Sequence, residues 1–293
     1  METGHSDRAS AGAADLVTAA FGATAGAPGP ADCAGGRVWL RAVALAGTGR
    51  FAAARALTAG VTGGPFAAAA RCLEGSMLRQ SGAHRAAALP DGAALGIASS
   101  IDEQPGYGLS VALTVDATVG LAADALGTGR HALSARLLAR ADEHLRAGGT
   151  ADSSRSGAGP ARAFPWWTVP RARLRRDWVA AELAVYTGQT EAAAAAIDPL
   201  LSADPGPTAP RHHAKTLLIA GSAAMASGDP DRARELATEA YGVATSEGLD
   251  PLRWAGAKML VALSEVGHGE AFARDAAAVE AVWIRHGAGL ARL

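Results

Sequence analysis

Arginine and tryptophan side chains are concentrated in the stretch from Ser153 to Arg176, which contains no acidic residue. Two tryptophans lie among six arginines there: Trp166, Trp167, Arg155, Arg162, Arg171, Arg173, Arg175 and Arg176. Guanidinium groups bind phosphate and carboxylate through paired hydrogen bonds, and aromatic rings stack on bases. The pattern therefore fits a surface that binds an anion or a nucleic acid. The alternative is an ordinary solvated surface, because Asp177 and Glu182 follow at once.

Three arginines recur at nearly even spacing, each at the start of a predicted helix. Arg171, Arg211 and Arg253 are separated by 40 and 42 residues. Neighbouring side chains add positive charge or rings: Arg175, Lys215, His212, His213 and Trp254. Equivalent positions of stacked repeats lie on one side of the array, so these residues would form a basic groove with aromatic residues at its floor. The alternative is that each arginine pairs with an acidic residue of a neighbouring repeat.

Metal-binding and catalytic patterns are absent from the sequence. His212 and His213 are adjacent, so on a helix they point about 100° apart and cannot chelate one ion; a cap or surface position is expected for both. The sequence has no nucleophile elbow, P-loop or dinucleotide-binding glycine motif. Cys72 lies in an apolar helical pattern and is expected to be a small buried residue, not a nucleophile. We therefore expect no catalytic residue, no metal and no cofactor.

Composition limits the classes of partner. The 293 residues carry a formal net charge of -1, which as a whole favours neither nucleic acid nor a membrane surface. The two cysteines, Cys33 and Cys72, stand apart, which fits a reducing cytoplasm. No run of about 18 uninterrupted apolar residues occurs, so no membrane segment is expected. Aromatic residues make up only 5% of the chain, so helices must pack closely over Ala and Gly, with Trp39, Trp178 and Trp283 as packing anchors.

Four segments are predicted along the chain. Residues 1–36 form a short helix over about 10–21 and then a loosely attached arm that contains Gly and Pro. Residues 37–146 form a first group of helical hairpins, residues 147–165 a Gly/Ser/Pro-rich loop, and residues 166–293 a second group of hairpins. The predicted helix pairs are 37–46 with 51–59, 65–79 with 83–89, 109–126 with 131–146, 170–186 with 191–201, 211–226 with 230–246, and 251–266 with 270–285.

One short phrase recurs at the turns of these hairpins: a glycine followed by a helix with alanine a few positions on. It occurs at Gly49, Gly129, Gly188 and Gly228, with weaker copies at Gly82 and Gly267. Such repetition indicates helical units that bury their apolar faces on one another. One unit resembles the tetratricopeptide repeat through the residues Leu217, Ala220, Gly221, Ala224, Gly228, Ala233, Ala237 and Ala240. Looser matches lie around Gly49 and Gly188.

The resemblance is to the broader tetratricopeptide-like superfamily and covers most of residues 37–287. It implies an all-α fold, a right-handed superhelix (α-solenoid) of about six antiparallel helix pairs. It also implies a concave face that binds an extended peptide or a protein partner.

The expected function is that of a non-enzymatic cytoplasmic scaffold that binds a protein or peptide, with an acidic segment fitting best. The residues expected to bind this partner are Arg171, Arg175, Arg211, His212, Lys215, Arg253, Trp254 and Trp167. Two other functions stay open: a transcription-associated regulator that binds nucleic acid, and a groove that binds a small anionic ligand. The apolar Leu16, Val17 and Phe21 also allow the N-terminal arm to fold back into the groove as an internal ligand.

Overall fold

The structure is a computed structural model that describes residues 15–22, 33–101, 108–155, 164–265 and 267–289; for 149–155 it describes only the backbone. Every regular element among these residues is helical, which confirms the all-α prediction. The predicted beginning of the first helix, residues 10–14, and part of the predicted loop, residues 156–163, lie outside the described residues.

Thirteen α-helices are present in the described part of the chain. The first, α1, covers residues 15–21. The others are α2 (Ala34–Gly47), α3 (Phe51–Thr58), α4 (Pro65–Gln80), α5 (His84–Ala98), α6 (Leu109–Gly127), α7 (His131–Arg155), α8 (Val169–Tyr186), α9 (Thr190–Ser202), α10 (Pro210–Ala226), α11 (Pro230–Ser246), α12 (Asp250–Leu263) and α13 (Glu270–Arg285). A single 3-10 turn, Gly206–Thr208, precedes α10.

All six turn glycines have a positive φ, between 68° and 89°, and five of them directly follow the cap of the first helix of their hairpin. The five are Gly49, Gly82, Gly129, Gly188 and Gly228, whereas Gly267 lies four residues after Leu263, where α12 ends. At the first five, the residue after the glycine donates its backbone N–H to a carbonyl five residues earlier, over 2.8 to 2.9 Å. This is the Schellman cap, whose left-handed residue costs little only when it is glycine. The recurring phrase therefore marks helix ends.

Helix α5 extends beyond its predicted end at Leu89. It continues to Ala98 although Pro90 lies inside it. Pro90 cannot donate a backbone hydrogen bond, but Asp91, Ala94 and Ala98 are all buried. The packing of this second half outweighs the local preference for a break.

Helix α7 also extends beyond its predicted end, from residue 146 to Arg155, so the first part of the predicted 147–165 loop is helical. Gly148 lies close against α6, because a Cβ placed there would come within 2.7 Å of Val111. The glycine that suggested a loop instead permits close helix packing.

The chain forms two compact units. The terminal unit comprises Met1–Ala59 and Ala184–Leu290, and the middle unit comprises Gly60–Leu183 with Ala291–Leu293. Helices α1 to α3 and α9 to α13 belong to the terminal unit, α4 to α7 belong to the middle unit, and α8 crosses the boundary. This division differs from the predicted one at 147–165, because the first hairpin packs with the C-terminal helices.

Helices α9 to α13 of the terminal unit pack on their neighbours in sequence order. The alanines that carry the resemblance are fully buried between α10 and α11: Ala220, Ala224, Ala233, Ala237 and Ala240. Small side chains let the two helices approach closely, as the sequence predicts. Adjacent helix packing is thus confirmed.

The first hairpin of the terminal unit contacts its last helix. Ala52 of α3 donates its backbone N–H to the carbonyl of His286 over 2.8 Å. The Arg55 side chain reaches the carbonyl of Gly287 over 2.6 Å, and the rings of Phe51 and Trp283 lie 5.4 Å apart. An open array of stacked hairpins keeps its first and last members apart, so the repeat pattern gave no sign of this contact.

Helix α6 is the central helix of the middle unit, and α4, α5 and α7 pack on it. Its residues Val115, Val119 and Ala122 form a core with Leu138 and Ala141 of α7. Among the described helices, α6 alone is long and apolar enough by composition to cross a membrane, and 67% of its apolar window is buried inside the protein. A core helix has these same properties. Two aspartates, Asp116 and Asp124, interrupt its apolar sequence.

Candidate functional site

The residues predicted to bind a partner belong to both units. Arg211, His212, Lys215, Arg253 and Trp254 lie on α10 and α12 of the terminal unit. Trp167, Arg171 and Arg175 lie on α8 and the turn before it, in the middle unit.

Arg171 and Arg175 both bind Asp116 of α6. Nη2 of Arg171 and Nη1 of Arg175 donate hydrogen bonds to different oxygens of this carboxylate. Burial opposes ionisation of Asp116, but the two guanidinium groups outweigh it and hold the pKa of the carboxyl below its ordinary value. Nε of Arg171 donates to the carbonyl of Trp167 over 2.8 Å, and both residues are buried. These residues are therefore brought together, but in the interior.

Among the remaining arginines of the stretch, Arg176 is paired with carboxylates. Nη2 of Arg176 lies 2.6 Å from Asp142, and Nη1 lies 3.1 Å from Asp177. Arg173 is exposed. The side chain of Arg155 and the whole of Arg162 lie outside the described residues. Arg171, Arg175 and Arg176 are thus each paired with a carboxylate of another helix.

A second buried ionic cluster of the middle unit was missed by the sequence analysis. Nη1 of Arg79 on α4 donates to Asp91 of α5 and, over 3.1 Å, to Asp124 of α6. Both carboxylates are almost completely buried. Gly75 and Gly120 leave room for Asp91, because a Cβ at either position would come within 2.6 Å of its carboxylate. Asp116 and Asp124 in the apolar sequence of α6 were the signal that could have indicated buried ion pairs.

One arginine faces two carboxylates in this cluster. Burial raises the pKa of Asp91 despite the charge of Arg79. Burial, together with the charge of Asp91, raises the pKa of Asp124 to about 7. With Asp124 protonated, the charge of Arg79 is matched by the single carboxylate of Asp91, and the interior site carries no net charge.

The side of α10 that carries Arg211 and His212, here called the α10 face, is covered by the first helices of the chain. Nη1 of Arg211 lies 3.4 Å from the carbonyl of Val43 on α2. The ring of His212 lies 6.1 Å from that of Phe21 on α1. Lys215, one turn further along α10, is half-buried. The α10 face of this structure is therefore occupied by the chain itself.

The expectation that His212 and His213 lie at a surface or a cap is wrong, because both side chains are buried. Nδ1 of His213 lies 2.5 Å from Oδ2 of Asp204, and its Nε2 lies 3.4 Å from Oε1 of Glu239. The turn before α10 folds back to place Asp204 there, with Oδ1 of Asp204 accepting from the N–H of Gly206 over 3.1 Å. The spacing of residues along one helix could not show that Asp204 packs against His213.

On α12, Arg253 and Trp254 also have partners within the terminal unit. Arg253 binds both oxygens of Asp275 on α13, and Nε of Arg253 lies 2.9 Å from Oδ2. The hydroxyl of Tyr241 donates to the same oxygen over 2.9 Å. Nε1 of Trp254 donates to Glu280 over 3.0 Å. Arg253 therefore helps to join α12 to α13.

Helix α1 binds the α10 face through one side. Val17, Ala20 and Phe21 are buried, while Thr18 is exposed. The receiving surface, here called the α1 site, is formed by Trp39, Thr208, Ala209 and His212. The rings of Phe21 and Trp39 lie 5.5 Å apart. Gly22 ends the helix with a φ of 93°, and a Cβ there would lie 2.0 Å from the carbonyl oxygen of Thr208.

In the described part of the chain, no group of three or more His, Cys, Asp or Glu side chains is arranged to hold a metal ion. No protein-family model, no curated protein sequence and no solved structure gives a significant match to this chain. The fold and the contacts above are therefore the basis for the functional argument.

Proposed function

We propose that this protein is a non-enzymatic scaffold that binds a protein or peptide segment through the α10 face of its terminal unit. The observation that carries the proposal is the use of this face by two segments of the same chain. His212 contacts the ring of Phe21, and Arg211 contacts the carbonyl of Val43. A face that combines a cation, a ring and close-packed small residues suits recognition of a helix or extended segment.

Arg211 and Lys215 give this face its positive charge. They lie one turn apart on α10 and would attract an acidic segment. Arg253 is less suited to this role, because it binds both oxygens of Asp275. The proposed contacts are therefore centred on α10.

Binding of nucleic acid or of a small anion through the arginine-rich stretch is a second candidate. The exposed side chain of Arg173 favours it. Against it, Arg171 and Arg175 share the carboxylate of Asp116, and Arg176 binds Asp142 and Asp177, so most of the charge of these arginines is offset within the protein. Protein or peptide binding is thus the better supported function.

The test is a selection of random peptides displayed on phage against the immobilised full chain and against a chain lacking residues 1–32. We expect enriched peptides to bind one or both forms. The variant Arg211→Gln, Lys215→Gln should weaken this binding at least tenfold, since it removes the two cations from the α10 face. Lys258→Gln on α12 is the matched control, because that lysine is exposed in the same unit.

Two results would contradict the proposal: no peptide enriched on either form, or equal binding by the double variant and the control. A labelled single-stranded DNA oligonucleotide provides the competing arm. Binding that falls steeply as salt rises from 50 to 200 mM would favour the nucleic-acid function.

A further inference from the structure

We infer that α1 is a displaceable internal ligand of the α1 site, and that this site accepts in its place an amphipathic helix of a partner protein. The inference rests on the proposed function, since it names the class of partner and the regulation of the same face. The partner helix carries apolar side chains at positions i, i+3 and i+4, with an aromatic ring at the last of them and glycine directly after it.

The pattern is that of α1 itself. Val17, Ala20 and Phe21 are 6%, 3% and 4% exposed, and their i, i+3, i+4 spacing puts them on one side of a helix. Asp15, Thr18 and Ala19 on the other side are exposed. A helix bound through such a stripe is a common mode of peptide recognition.

The α1 site also explains why the pattern ends in an aromatic residue followed directly by glycine. The ring of Phe21 lies 5.5 Å from that of Trp39 and 6.1 Å from that of His212, so it is held between α2 and α10. Directly after it, the carbonyl of Thr208 approaches Gly22 so closely that no side chain fits there. A partner helix must therefore end in an aromatic residue followed by glycine, or turn away.

Helix α1 is suited to release. Among its described residues, Val17, Ala20 and Phe21 contact the site while Asp15, Thr18 and Ala19 are exposed, and a helix held through one side belongs among the elements with a low free energy of local opening. Residues 23–32 join it to the rest of the chain, so a partner helix competes with a tethered copy. A longer partner helix with the same stripe has more contact with which to compete.

The experiment starts from the folded full chain. A protease recognition sequence is inserted between residues 27 and 28, and the purified protein is cut and dialysed. The probe is a fluorescent peptide with the sequence of residues 10–24. We expect the cut chain to bind this peptide at least tenfold more tightly than the uncut chain, because the internal copy no longer competes.

Three peptide variants test the pattern. Phe21→Ala and Gly22→Ala should each abolish binding, the first by removing the ring and the second by a clash with Thr208. Thr18→Ala is the matched control and should bind like the original peptide, since Thr18 is exposed. In the uncut chain, Phe21→Asp should open the site and give the affinity of the cut chain.

Several outcomes would overturn the inference. Equal affinity of the cut and uncut chains would show that α1 does not occupy the peptide's site. Loss of helical circular dichroism in both the cut chain and the Phe21→Asp variant would show that α1 is part of the core. Phage-selected peptides that bind without competing with the α1 peptide would leave the proposed function standing and refute this inference alone. Binding of the α1 peptide without any phage-selected peptide would refute the proposed function and, with it, the partner helix.

Discussion

Arg171 of α8 and Asp116 of α6, which are 55 residues apart in the sequence, form a buried ion pair in the middle unit. Arg175, one turn further along α8, binds the second oxygen of the same carboxylate. Asp116 is thus the shared counter-ion of two guanidinium groups whose side chains are 10% and 18% exposed. Its removal leaves two cations in a mostly dry environment.

We expect Asp116→Asn to lower the free energy of unfolding by about 3–5 kcal/mol, because an amide cannot compensate buried charge. Urea unfolding followed by circular dichroism measures this loss. Asp142→Asn is the matched control, since the Asp142–Arg176 pair is 35% and 27% exposed. An exposed pair contributes about 0–1 kcal/mol, so equal losses for the two variants would contradict the prediction.

The Asp91–Asp124 pair predicts a dependence of stability on pH. Burial raises the pKa of Asp124 to about 7, whereas an aspartate in an unfolded chain titrates near ~3.9. Between these two values the folded state keeps a proton that the unfolded state has lost. The contribution of Asp124 to stability is therefore full below about pH 4, falls as pH rises, and is lost above about pH 7.

Other groups that face the pair modify this dependence. His84 of α5, whose pKa is lowered by burial and by Arg79, contributes in the opposite sense, because its contribution is full above the ordinary histidine pKa of ~6.5 and is lost as pH falls. The informative quantity is therefore the difference between wild type and Asp124→Asn. We expect urea unfolding to show the variant gaining stability over wild type from pH 5 to pH 8. Glu143→Gln, which changes an exposed carboxylate, should give a curve parallel to wild type, and a parallel curve for Asp124→Asn would contradict the raised pKa of Asp124.

Gly120 lies next to the buried carboxylate of Asp91, so adding one methyl group at position 120 should lower the stability of the protein. A Cβ at position 120 would lie 2.5 Å from Oδ2 of Asp91, which Arg79 holds in place. We expect Gly120→Ala to lower the free energy of unfolding by about 1–3 kcal/mol. Gly96→Ala on α5, where the space is open, should instead add about 0.5–1 kcal/mol. Thermal unfolding of both variants provides the comparison, and stabilisation by Gly120→Ala would contradict the close contact.

The two cysteines should differ in reactivity. Cys33 is exposed, whereas Cys72 is buried in the middle unit, and burial raises the pKa of its thiol. The thiolate is the reactive form, so we expect a thiol reagent at pH 8 to label one cysteine rapidly and the other only after urea is added. Cys33→Ser should remove the rapid phase. Two rapid phases in native protein would show that the core around Cys72 opens readily.

Features set by short-range rules could be predicted from the sequence. The turn glycines, the helix pairs and the burial of Cys72, Trp39 and Trp283 follow from spacing and side-chain type, and the structure confirms them. The turn at Gly228 and the small residues around it illustrate this, because every atom involved lies within one hairpin.

Features set by packing between distant segments could not be predicted. The sequence left open a pairing of arginines with acidic residues, but did not indicate Asp116 as the partner of Arg171. The pattern predicted that the helix ends at Leu89, yet α5 continues through Pro90 with Asp91 buried. The burial of His212 depends on α1 and α2, which come from the other end of the chain. Each of these outcomes depends on which distant segments of the chain pack against one another.

The contact between Ala52 and His286 has a consequence for the order of events during synthesis. The middle unit is built almost entirely from one continuous segment, so its helices have their partners soon after Leu183 leaves the ribosome. The first hairpin, although made before the middle unit, must wait for α13 before Ala52 and Arg55 find their acceptors. During that interval the apolar ring of Phe51 lacks the cover that Trp283 gives it, so this hairpin completes its packing after the middle unit does.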